Sequence, residues 1–300
     1  MAVLIVGSVA LDTVITPFGK NEEALGGAAT YFSCAASYFD TPRMVAVVGD
    51  DFPREHIQTF RHFNIDMEGL EVRKGKTFRW SGKYGYDLNE RDTLSTHLNV
   101  FEHFHPKLPG SYRESEFVFL GNIHPSLQLE VLDQIESPKF VACDTMNLWI
   151  ENEREALSEL IGKVDSIVLN DSEARELARE PNLAKAARKI QDMGCPKVVI
   201  KKGEHGCLFF SPHSHFSAPA YPLDSVNDPT GAGDSFAGGF MGYLSQSGKL
   251  DELNIRRAII YGSVMASFTV EEFGIDRLLS LSDEEISVRF REFREITLFD

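Results

Sequence analysis

The sequence predicts an α/β fold, a mostly parallel sheet covered by helices on both faces, in a single domain spanning residues 1–300. Two observations carry this. From Phe117 onward, short apolar runs ending in polar residues alternate with segments of helical period. The runs include Phe117-Val118-Phe119-Leu120-Gly121 and Phe140-Val141-Ala142-Cys143-Asp144, and the helical spacing recurs at Leu127, Val131, Leu132 and Ile135. Repeated strand–helix units of this kind build a parallel sheet with two helical layers. Secondly, 300 residues with no linker, repeat or low-complexity tract can bury one large core.

In chain order, Val3-Leu4-Ile5-Val6 is a buried strand, too short and lacking the basic flank of a signal core. Asp12 follows that strand's end, where open α/β sheets bind ligands; it reads either as a turn residue or as a ligand contact. Gly26-Gly27 precedes a helix through Ala35, Ala36 and Phe39. Met44–Gly49 is a second strand, and Asp50-Asp51-Phe52-Pro53 opens a helix ending near Asn64. Residues 71–97 differ in texture: Thr77-Phe78-Arg79-Trp80 and Lys83-Tyr84-Gly85-Tyr86-Asp87 alternate as short half-exposed strands rich in aromatic rings. Ser166–Asn170 is a strand, with Glu173 one helical turn on. That pair reads as a capping box or as a phosphate–metal contact. Val198–Lys202, Gly203 and Gly206 form a strand, a tight turn and a return strand. Asn122, His124, Asp144 and Asn147 lie towards the ligand edge, His124 as a hydrogen-bonded loop residue.

Composition excludes several classes. A formal net charge of −15 argues against nucleic-acid or anionic-membrane partners. No apolar run approaches the roughly 20 residues of a membrane span. The four cysteines are scattered, without metal spacing, as expected of buried thiols in a reducing cytosol. There is no Walker-type motif, and Gly231-Ala232-Gly233 lacks the third glycine of a dinucleotide fingerprint.

The chemistry concentrates at Asn227-Asp228-Pro229-Thr230-Gly231-Ala232-Gly233-Asp234-Ser235-Phe236-Ala237-Gly238-Gly239-Phe240. A loop held extended by Pro229 meets a helix whose inner face is Phe236, Phe240, Tyr243 and Leu244. The first N–H groups of that helix have no internal partner and attract an anion. Asp234 in the first turn is either a dipole partner or a base that takes a proton while those amides hold phosphoryl charge.

This string resembles the C-terminal signature of the ribokinase-like (PfkB-type) carbohydrate kinases, and similar segments cover nearly the whole chain. The resemblance implies a ribokinase-like three-layer α/β/α sandwich whose small β-sheet lid, from about residues 12–20 and 75–100, closes over the substrate. It implies Asp234 as catalytic base and the backbone of Gly231, Ala232 and Gly233 as anion hole. Asp12, Gly26 and Gly27 would bind substrate hydroxyls, with Tyr31 where the pattern has Asn and with Phe78 and Trp80 from the lid. Asn170, Glu173, Lys201, Gly203, Gly206, Thr230 and Gly274 would surround ATP, Glu173 ordering Mg²⁺ through water. Asp228 falls at a monovalent-cation (K⁺) position, and such lids also form homodimer contacts.

The leading expectation is an ATP-dependent cytoplasmic kinase acting on a hydroxyl of a small sugar; a nucleoside, its base stacked on a lid ring, is the alternative. A Gly-Asp-Ser hydrolase at Ser235 is remote, since no Gly-x-Ser-x-Gly elbow occurs.

Overall fold

The computed structural model describes residues 2–298. Nine strands form the large sheet: β1 (Ala2–Val6), β4 (Thr41–Gly49), β5 (Asp66–Arg73), β8 (Phe117–Leu120), β9 (Phe140–Asp144), β10 (Ser166–Asn170), β11 (Lys197–Lys201), β12 (Cys207–Phe210) and β13 (His215–Ala218). Their order is β13-β12-β11-β10-β9-β8-β1-β4-β5. All neighbours are parallel except β11–β12 and β12–β13. The inner strands are largely apolar because both faces are covered, and Val3, Leu4, Ile5 and Val6 are 0% exposed, whereas the edge strands β5 and β13 carry exposed polar residues.

The helices are α1 (Ala28–Ala36), α2 (Arg54–His62), α3 (Pro125–Leu132), α4 (Asn147–Asn152), α5 (Arg154–Ile161), α6 (Asp171–Ala178), α7 (Leu183–Asp192), α8 (Ala232–Ser247), α9 (Glu252–Thr269), α10 (Asp276–Ser280) and α11 (Asp283–Glu295). One core joins the sheet to α1, α8, α9 and α11, with Phe32 stacked on Phe119 at 4.9 Å. The other lies against α3, α5, α6 and α7. Fully burying each such aromatic ring contributes about 1.5–3 kcal/mol. Close approach of α1, α8 and α9 requires glycine at two points. A Cβ at Gly238 would collide with Phe32 O, and one at Gly239 would stand 2.7 Å from Met265 Cγ.

Strand order reverses at β1, which has β4 on one side and β8 on the other. The chain leaves β1, β9, β10 and β11 at one edge, and Asp12, Asp144, Asn170 and Lys201 all sit at or just beyond those carboxyl ends. That is the crevice where doubly wound sheets bind ligands.

A separate four-stranded sheet, β3-β2-β6-β7, is built from β2 (Ala10–Thr16), β3 (Gly19–Gly26), β6 (Phe78–Tyr84) and β7 (Arg91–His97). β2 and β6 pair in parallel, with Asp12 opposite Trp80. The two short strands expected at 77–80 and 83–87 are one strand, β6, which ends at Tyr84, and residues 85–90 form the turn to β7; β3, with Lys20-Asn21-Glu22-Glu23, is too polar to show an alternating pattern.

Candidate active site

Gly231 ends the loop with φ 77°, a left-handed conformation that a side chain would strain, and α8 starts at the next residue. Ala232 N–H leans back on Pro229 O at 3.3 Å. The N–H groups of Gly231, Gly233 and Asp234 have no backbone partner among the described residues. Asp234 N–H turns to its own carboxylate, so the open amides are those of Gly231 and Gly233, and Ala232 is the least available of the three expected.

Asp234 lies in the first turn, and no other described residue donates to its carboxylate. Burial raises its pKa to about 7; Asp144 adds to the rise, while Lys201 and Arg91 oppose it. A buried acid facing another acid holds its proton more tightly. Lys201 reaches across from the end of β11, and its Nζ lies 2.8 Å from where a Gly233 Cβ would stand. An ammonium at the positive end of a helix is unfavourable alone. Here burial also disfavours it, but Asp144, Glu173 and Asp234 together outweigh burial and raise its pKa.

Glu173 and Asn170 form the capping box of α6: Asn170 Oδ1 accepts Glu173 N–H at 2.8 Å, and Glu173 Oε2 accepts Asn170 N–H at 2.7 Å. The cap engages one Glu173 oxygen and leaves the other. Burial and the neighbouring Asp144 push Glu173 up to about 7. Asp144, 8% exposed, is raised mainly by burial.

On the opposite wall, Asp12 Oδ2 accepts Gly27 N–H at 3.2 Å, and a Cβ at Gly26 would collide with the same carboxyl. Burial lifts Asp12 to about 7, the Gly27 N–H resists, and Asp234 and Asp228 add to the rise. Tyr31, 2% exposed in α1, lays its ring against Gly231, where a Cβ would strike three ring atoms. Asp228, 1% exposed, receives Thr230 N–H at 2.9 Å and Gly274 N–H at 3.1 Å, tying the loop to the segment after α9.

The small sheet closes over this floor. Tyr84 OH lies 3.3 Å from Thr230 Oγ1. Asn89, in the β6–β7 turn, fills the space a Cβ on Gly203 would need. Trp80 covers Gly82 and donates to Thr93 Oγ1 at 3.4 Å, with Arg91 stacked 5.8 Å from its ring. Phe78 is held elsewhere, stacked on Phe101 at 5.3 Å at the root of the sheet. Gly206 sits in the turn before β12, against Ala218 O.

Asp12, Tyr31, Lys201, Gly231, Gly233 and Asp234 thus come together, and Asn170 and Glu173 border them through Asp144 and Lys201. His124 caps α3 by accepting Ser126 N–H at 3.2 Å, and Asn122 Oδ1 accepts Trp149 Nε1–H at 2.8 Å. Asn147 donates to Glu176. Sequence reading did not single out Arg91 or Asn89. Arg91 is electrostatically felt by Asp12, Asp144, Glu173 and Asp234, yet it sits in an unremarkable polar hairpin.

A family model described as pfkB family carbohydrate kinase matches residues 6–280. This chain belongs to the pfkB family of carbohydrate kinases. A cytidine kinase from Thermococcus kodakarensis is 29% identical to it over 265 residues, covering 85% of this kinase and 94% of the relative. Among solved structures, a Burkholderia thailandensis nucleoside kinase in complex with inosine superposes with a TM-score of 0.81 at 20% identity, covering 97% of each chain. A putative ribokinase II from E. coli in complex with ATP and Mg²⁺ gives 0.78 at 17% identity, covering 97% of this kinase and 99% of that chain. The fold is the ribokinase-like three-layer sandwich with a small separate sheet. Among the described residues, no helix is long and apolar enough to cross a membrane.

Proposed function

We propose that this kinase transfers the γ-phosphoryl group of ATP to a hydroxyl of a ribonucleoside, with Asp234 as the base. The observation that carries the reading is the junction itself. An acid with a pKa near 7 and no donor but its own backbone N–H stands beside open amides, facing Lys201 across and Asp12 beyond. The acceptor hydroxyl gives its proton to Asp234 as its oxygen bonds to the γ-phosphorus. The bond from that phosphorus to the bridging oxygen breaks, and ADP leaves with the electron pair. The Gly231 and Gly233 amides and Lys201 hold the charge spread over the transferred oxygens. Asn170, Glu173, Lys201, Gly203, Gly206, Thr230 and Gly274 border the nucleotide, and the small sheet serves as a lid excluding water.

Mg²⁺ suits the free oxygen of Glu173 and the carboxylate of Asp144, where it would neutralise the phosphates. Asp228 is a buried carboxylate with two backbone donors and no salt bridge among the described residues, a charge state that fits a monovalent cation. Glu173 would order the magnesium waters, and Asp228 would hold potassium beneath the anion loop.

A ribonucleoside is preferred to a free sugar because the cytidine kinase matches 94% of its own length here. A polyol acceptor is the second reading, favoured by an inositol 3-kinase from Arabidopsis thaliana, 26% identical over 91% of this chain. Initial rates with Mg-ATP and cytidine, inosine, ribose or myo-inositol separate the two. Asp234→Asn is expected to lower kcat by about 10²–10⁴-fold, with acceptor affinity by calorimetry retained. Turnover within a few-fold of wild type would refute the assignment.

A further inference from the structure

Tyr31 has a hydroxyl without a partner. Its side chain is 2% exposed, yet among the described residues its oxygen makes no hydrogen bond. Nor does it belong with the sealed polar atoms Ser33 Oγ, Thr145 Oγ1, Ser166 Oγ, Ser235 Oγ and Arg256 Nε. The oxygen therefore keeps contact with the cleft. Buried polar groups are nearly always satisfied, and an open one at a binding site marks a place for a ligand atom. The acids around the phenol are Asp228, Asp12 and Asp234, with Tyr84 beyond them. Burial and those acids hold it protonated, so it is a donor across the working pH range.

We infer that Tyr31 donates to a secondary hydroxyl of the substrate bound by Asp12, while its ring supports the anion loop from below. The chemistry requires such a donor. A substrate hydroxyl that donates its hydrogen bond to ionised Asp12 keeps lone pairs of its own, and in the ionised form Asp12, Asp234 and Asp228 are acceptors only. Gly27 N–H is already turned to Asp12 Oδ2. Tyr31 is the unpaired neutral donor beside them, and it selects acceptors carrying a secondary hydroxyl next to the phosphorylated arm, as in the diol of a ribofuranoside. The ring contact with Gly231 adds a second consequence: the side chain that binds the acceptor also sets the position of the phosphate amides.

The inference rests on the kinase reading above, and the test separates the two. Cytidine, 2′-deoxycytidine and 3′-deoxycytidine are titrated calorimetrically into wild type and Tyr31→Phe without nucleotide, and initial rates follow with Mg-ATP. Loss of one hydrogen bond should raise the cytidine dissociation constant and KM about tenfold, with kcat falling far less. The same substitution should cost nothing further with whichever deoxy analogue lacks the contacted hydroxyl. Tyr31→Ala, which removes the ring, should lose kcat as well. An equal penalty from Tyr31→Phe on all three nucleosides, or none on any, overturns the inference and leaves the kinase reading intact. The expected binding pattern without phosphoryl transfer would overturn the kinase reading alone. A wild-type protein that binds none of the three overturns both.

Discussion

Asp234 and Asp12 are carboxyls held near pH 7 by burial, each additionally raised by neighbouring acid. A carboxyl shifted by desolvation is half protonated at neutrality in the unliganded protein, and only its ionised form can take the acceptor's proton. The sign follows directly: kcat/KM, which reports the free enzyme, rises as pH increases through about 7 and levels above it. Between pH 6 and 5 it should fall about tenfold, more steeply if Asp12 must also ionise. A profile flat from pH 5.5 to 9 would remove Asp234 from the chemistry. Lys201 keeps the shift from being larger, since its ammonium opposes protonation of Asp144, Glu173 and Asp234 alike.

At the scale of elements, the β6–β7 hairpin makes two small contacts, Tyr84 with Thr230 in the loop before α8 and Asn89 with Gly203 in the turn after β11. If those contacts hold the lid shut, Tyr84→Phe removes one neutral hydrogen bond worth about 0.5–1.5 kcal/mol. Its kcat/KM should drop roughly 2–10-fold while ADP release without acceptor increases relative to turnover, because water gains entry. Coupled rates with and without acceptor measure both; an unaltered ratio would detach the hydrogen bond from closure.

Much of this architecture was legible beforehand. The strands ending at Asp144 and Asn170 announce themselves as apolar runs with polar ends, and α8 as a glycine turn followed by an aromatic stripe. The meeting of Tyr84 with Thr230, 146 residues apart, has no local signal. Neither does the parallel pairing of β2 with β6: alternation marks a strand but not its partner. The capping box of Glu173 could not be told from a metal contact by spacing, because both demand the same residues three apart.

For the molecule as a whole, the cleft concentrates charge that the fold alone does not favour. Asp12, Glu173 and Asp234 each have a folded pKa of about 7, above the value of about 4 in an unfolded chain. The native state therefore binds more protons than the unfolded one. The stability these groups contribute is complete below pH 4 and is lost as pH rises through 7. The unliganded kinase should accordingly melt at lower temperature at pH 8 than at pH 5.5, and Asp234→Asn should narrow that gap by raising Tm at pH 8. Mg²⁺ with a non-hydrolysable ATP analogue supplies the opposing charge. At a hundredfold excess over Kd it stabilises by about 2.7 kcal/mol, on the order of 4–5 °C for a chain of this size, with the larger gain at pH 8. Calorimetric melts at both pH values, with and without the analogue, test this. Parallel pH profiles for wild type and Asp234→Asn would mean that the carboxylate cluster is not under electrostatic strain, and that its burial serves packing instead of phosphoryl transfer.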